Sequence, residues 1–166
     1  MAIEQRQFEE GAKFLQEALK LDPKYFPARF NVGELPLVQK RYAEARATFE
    51  KLLEEFPKDE LILFRIFLCH LLEKNDTAAR QALDNIPFPG DTPAFYYANG
   101  AWEFAHNNAA EAQKWIARGN WVFPKDKVAN FATALYEAGW LERPKTKRSG
   151  QAAPSPATPP PAGAKP

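Results

Sequence analysis

One cysteine in 166 residues, Cys69, excludes an internal disulfide and is too few for a thiolate-built metal site. Histidine is almost as scarce: there are two, His70 and His106, and no Asp, Glu or Cys makes a metal-ligand spacing with either. Cys69 and His70 are neighbours, but on a helix adjacent side chains diverge by about 100°, so they do not make a thiolate–imidazole pair. The eight glycines are scattered and never gather into a phosphate-cradling loop. Charge of one sign is also missing. Lys and Arg total 22 against 21 Asp and Glu, and a net charge of +1 creates no field to draw in nucleic acid or an anionic membrane. The longest apolar stretch, Leu61 to Leu72, is broken by Arg65 and His70 and is too short for a membrane span. Glu4, Arg6, Glu9 and Glu10 near the start do not make a signal peptide. The expectation is a cytoplasmic chain, unless a segment precedes Met1 in a longer protein. No catalytic constellation, cofactor site or metal site can be named, so the chain is expected not to be an enzyme.

What is present is a hydrophobic fraction of 45%, enough for a packed core, and 15 prolines placed unevenly. Seven prolines lie in residues 142–166, with five basic residues against one acidic and no large apolar side chain. Such a stretch cannot offset the entropy of ordering itself, so this Pro-, Ala- and Lys-rich tail is expected to be disordered.

The body repeats. Pro23 and Pro57 close two stretches that align: Phe8 to Ala18 lies over Tyr42 to Leu52. Carried forward, the register gives units at 26–59, 60–92 and 93–126. Small residues recur as Gly33 and Gly100, with Phe67 between them, and as Gly11, Ala45, Ala79 and Ala112. Four residues beyond the second column stands a large apolar one: Leu15, Phe49, Leu83, Ile116. Within a unit, two apolar patterns of three-and-four spacing flank a polar break such as Lys74-Asn75-Asp76, which reads as helix, turn, helix. Small residues let two helices approach closely while the large column fills the space beside them, and the closing proline stops the second helix.

This pattern resembles the tetratricopeptide repeat family, a helix-turn-helix unit of about 34 residues. The resemblance implies an all-α fold, a right-handed α-solenoid of antiparallel helix pairs with about seven helices. It places a repeat domain at 1–141: a half-unit at 2–25, the three units, and a closing helix at 127–141. Pro36, His70 and Glu103 depart from the family by standing where it usually has an aromatic. The opening half-unit matches only a second helix, so its apolar face lacks a partner. A truncated piece of a longer repeat protein, or a homo-oligomer joined through that face, are the two readings.

The resemblance further implies a protein-interaction scaffold whose first helices line a concave groove for a protein or peptide partner. The groove columns are Phe30, Phe64 and Tyr97, then Glu34, Leu68 and Ala101, then Leu37, Leu71 and Phe104, with Leu61 opening the row. Together they are expected to form an exposed apolar strip. Asn31 and Arg65 match two of the five positions by which chaperone-adaptor members grip a terminal carboxylate, too few to imply that clamp. No nucleic acid is expected as a partner. The alternative function is structural self-assembly.

Deleting residues 143–166 should leave far-UV helicity and melting temperature unchanged. A drop of several degrees on thermal denaturation would show that the tail docks on the body.

Overall fold

The computed structural model describes residues 2–143, so nearly all of the tail lies outside the described residues. Among those residues there are eight α-helices and no strand: α1 Ala2–Leu21, α2 Phe26–Val38, α3 Tyr42–Glu55, α4 Glu60–Leu72, α5 Asp76–Asp84, α6 Ala94–Ala105, α7 Ala109–Val122 and α8 Lys125–Glu137. That is one more than the seven expected. A half-unit, three pairs and a closing helix already make eight.

The polar breaks inside the units share one backbone device. Lys40, Lys74 and Asn107 follow α2, α4 and α6 and all take the left-handed conformation, with φ of 62°, 59° and 61°. After each, an amide reaches back to the helix: Arg41 N donates to Pro36 O at 2.8 Å, Asn75 N to His70 O at 3.0 Å, and Asn108 N to Glu103 O at 2.9 Å. This six-to-one bond satisfies a carbonyl the helix end would otherwise leave open and turns the chain antiparallel. Asn75 then caps α5 by accepting from Ala78 N at 3.2 Å, and Asp59 caps α4 by accepting from Ile62 N at 3.0 Å. Pro36 does not end α2, which continues to Val38.

The helix α4 is the centre of the molecule. Its sequence is apolar all round apart from Arg65 and its ends, and a helix of that kind must be buried on every side. Ile62, Ile66 and Cys69 join one core cluster with Phe30, Ala45 and Phe49. Phe64, Phe67, Leu68 and Leu71 join a second with Ala79, Leu83, Tyr97 and Ile116.

The stack bends at the second unit. The helix α5 has nine residues where α3 and α7 have 14, and a loop from Ile86 to Pro93 replaces its last turn. The Glu60 carboxylate holds that loop, accepting from Asp91 N at 2.8 Å, from Thr92 N at 3.0 Å and from the Thr92 hydroxyl. A short α5 barely touches α6, so α6 packs directly on α4. The closing helix α8 follows that bend.

Close approach within a pair depends on glycine at two sites. A Cβ at Gly33 would stand 2.7 Å from the Phe49 ring, and one at Gly100 would stand 2.7 Å from Ile116 Cδ1. Phe49 is a rigid, fully buried ring, whereas the end of Ile116 can swing to another rotamer. Gly33→Ala should therefore cost about 1–3 kcal/mol from overpacking, less the roughly 1 kcal/mol that alanine returns in helix propensity. Gly100→Ala should come out near neutral. Urea unfolding of the two variants checks the order, and a Gly100→Ala loss equal to that at Gly33 would contradict it.

Candidate functional site

Most of the first-helix residues that the spacing assigned to a groove are not exposed. Phe64 is 0% exposed, and Tyr97, Ala101, Leu68, Leu71, Arg65, Leu37 and Phe30 are also buried. Leu61, Phe104 and Glu34 are half-buried, and only Asn31 is exposed. The expected exposed strip is therefore corrected: eight of the twelve side chains, Phe64 and Tyr97 among them, are buried.

Phe30 and Leu37 are buried in the cluster with Ala45, Phe49 and Ile62, and Phe64 and Tyr97 are covered by α8. Its Phe131 ring sits 5.1 Å from Phe64 and 6.0 Å from Tyr97, centroid to centroid, in tilted geometry. Beyond the helix, Gly139 takes φ +78°, and Trp140 turns back to stack on Phe104 at 6.3 Å and 8°. Phe131 stands four residues into the closing segment, the same offset as Phe30, Phe64 and Tyr97 in their units. Extending the column by that one step would have flagged it. No such signal pointed to Asn130 or Trp140.

Arg65 joins the helices beneath. It is 3% exposed, with Nε donating to Glu34 Oε1 at 2.6 Å and Nη2 to Glu34 Oε2 at 3.1 Å and to the Asn130 carbonyl at 3.2 Å. Its guanidinium carbon lies 5.6 Å from the centroids of both Phe30 and Phe64. Arg65 is thus committed internally to Glu34 on α2 and to α8, and it is not presented to a ligand carboxylate. Glu137 lies in the same field. Partial burial, and then the Glu34 charge, push its carboxyl above the usual range against the opposing pull of Arg65.

Where α8 ends, the inner face stays open. A cleft of about 260 Å³ is lined by Leu37, Val38, Leu68, Leu72 and Ala134, with Lys40, Tyr42, Glu137 and Ala138 around it. A second cleft, about 360 Å³, opens between α1 and α2.

Burial favours the neutral forms of Cys69, His70 and Tyr97. Burial pushes the Cys69 thiol up to about 12, so it stays protonated and is a poor nucleophile. His70 Nδ1 lies 3.2 Å from Arg46 Nη1, and burial followed by that cation lowers its pKa. Tyr97 is also pushed up to about 12 by burial, and its hydroxyl donates to Asn120 Oδ1 at 2.8 Å. Among the described residues no group of three or more His, Cys, Asp or Glu could hold a metal ion. No helix among them is long and apolar enough to cross a membrane.

The tetratricopeptide repeat family model matches residues 2–63 and again residues 37–99. No curated protein and no solved structure matches the chain.

Because Phe64 is enclosed by Phe67, Phe131 and Arg65, Phe64→Ala should cost the ~3–5 kcal/mol of a core aromatic deletion. Denaturant unfolding measures it. A cost below about 1 kcal/mol, as expected of a surface residue, would mean the ring is not enclosed.

Proposed function

The chain belongs to the tetratricopeptide repeat family, whose repeats are generally protein–protein interaction modules, and we propose that it is a non-catalytic scaffold that holds an apolar segment of a partner protein on its inner face. The observation that carries this reading is the open cleft at the C-terminal end of α8. There apolar side chains (Leu37, Val38, Leu68, Leu72) line a cleft that α8 leaves unfilled. The inner face already accommodates an aromatic-bearing helix, its own α8, so its shape suits a segment of the same kind laid beside it.

At about 260 Å³ the cleft takes one large apolar side chain and little more. Burying a Leu or Phe there contributes about 1.5–3 kcal/mol, so further contacts along the rim must add to it. The rim offers both signs, with Lys40 and Glu137 both lining the cleft. Such a mixed rim gives register more than long-range steering.

The test plugs the cleft without touching the core. Ala138 stands at the end of α8, half-buried on the cleft wall. Ala138→Arg should abolish capture of partners in a pull-down from native lysate while the melting temperature stays unchanged. Trp121→Ala, on a side chain 88% exposed and outside the cleft, is the control and should capture normally. Loss of capture in the Trp121 variant alone would move the binding surface away from the inner face.

A further inference from the structure

The junctions between units are tied at one repeated position. The residue that ends the first helix stands at the same offset in the second and third units, as Glu73 and His106. Glu73 pairs with Arg46 on α3, which binds α4 to the second helix of the unit before it. His106 does the same for α6 with the charges reversed. Its Nε2 lies 2.9 Å from Asp76 Oδ2 at the start of α5, and its Nδ1 lies 2.7 Å from the Trp102 carbonyl oxygen. Both ring nitrogens therefore face oxygens that only accept. A neutral imidazole has one N–H, so it satisfies one of them and turns a lone pair to the other, whereas the imidazolium donates to both. The ring also stacks on Trp102 with centroids 4.2 Å apart, and the guanidinium carbon of Arg80 on α5 stands 5.7 Å from the same indole.

We propose that His106 is a proton-operated clasp between the second and third units: as imidazolium it ties the start of α5 to the end of α6, and on losing its proton it gives up one of its two bonds and lets α5 loosen. The place matters, because the nine-residue α5 touches α6 little elsewhere. An arginine–glutamate pair, as at the first junction, carries no such switch near neutral pH. The charged groups around the ring are Asp76 and Arg80 on α5 and Glu103 on α6. Lys74 precedes α5 in the turn, and the first charges of α7, Glu111 and Lys114, pair with each other. The bond to the Trp102 carbonyl, and then the bond to Asp76, hold the His106 pKa above the ordinary histidine range. A contact made by a group with a raised pKa is complete below the ordinary value of about 6.5 and is lost as pH rises through the raised one. The ring is open to water, so it gains and loses its proton freely. None of these residues lines the cleft at the end of α8, and the clasp stands or falls apart from that cleft.

NMR of the full chain with nitrogen-15 histidine follows both rings through a pH titration. His106 should titrate above the ordinary value and above His70, which burial and Arg46 hold low. Asp76→Asn should bring the His106 midpoint down toward the ordinary value. Hydrogen exchange then reads the helix itself. After allowance for the intrinsic pH dependence of exchange, protection of amides 79–84 of α5 should fall about threefold as His106 loses its proton, the size expected of one exposed ion pair. In His106→Gln that protection should stay level across the same range. A His106 midpoint at or below the ordinary value, or one unmoved by Asp76→Asn, overturns the proposal. So does wild-type α5 protection that does not change with pH, or the same change in His106→Gln.

Discussion

A guanidinium buried at the centre of the molecule determines how the helices close on one another. Desolvating Arg65 costs several kcal/mol unless the charge is paired with good geometry, and a lone buried cation would be worse than an apolar residue in its place. Glu34 on α2 supplies a two-point carboxylate contact, the rings of Phe30 and Phe64 supply faces, and Asn130 on α8 supplies a carbonyl. Three helices distant in sequence are thereby tied to one side chain. Among the described residues Nη1 finds no hydrogen-bond partner, a cost of burial that the contacts to α2 and α8 must offset.

The bend in the stack follows from that centre and from one shortened element. An α-solenoid with uniform pairs rotates by a small step per unit and keeps an open inner face. Here α5 is too short to hold α6 away from α4, and the loop that replaces its last turn is held by Glu60. The first helices of the second and third units therefore meet directly, and the fourth first-type helix folds over both. What would be ligand-binding wall in a more open stack has become core. Open apolar surface is left at the two edges of that closure, beside α8 and beside α1.

The repeat period and the helix pairing were legible in the residues, because period and small-residue spacing are local properties of a sequence. Lys40, Lys74 and Asn107 stood visibly in polar breaks. The left-handed backbone of Lys40 and Lys74 was not visible, since lysine, unlike glycine or the asparagine at 107, carries no mark of that conformation. The burial of Phe64 and Tyr97 was misjudged for a different reason. Whether an inner column is wall or core depends on curvature, and curvature is set by how far α5 and its loop separate neighbouring units, a long-range quantity that no single unit encodes. The lesser burial of Gly11 and Leu15 on α1 stands out against the alignment, since the other units bury those two columns.

The central claim is that α8 is part of the folded core and seals the inner face. Native-state hydrogen exchange tests it most directly, comparing amides 128–136 of α8 with amides 62–71 of α4 under mild denaturant. If α8 is held by Phe131 and Arg65, both sets should exchange through one opening with the same free energy and the same denaturant dependence. Fast, denaturant-independent exchange across α8 while α4 stays protected would contradict the account, and would return Phe64 and Tyr97 to an open groove.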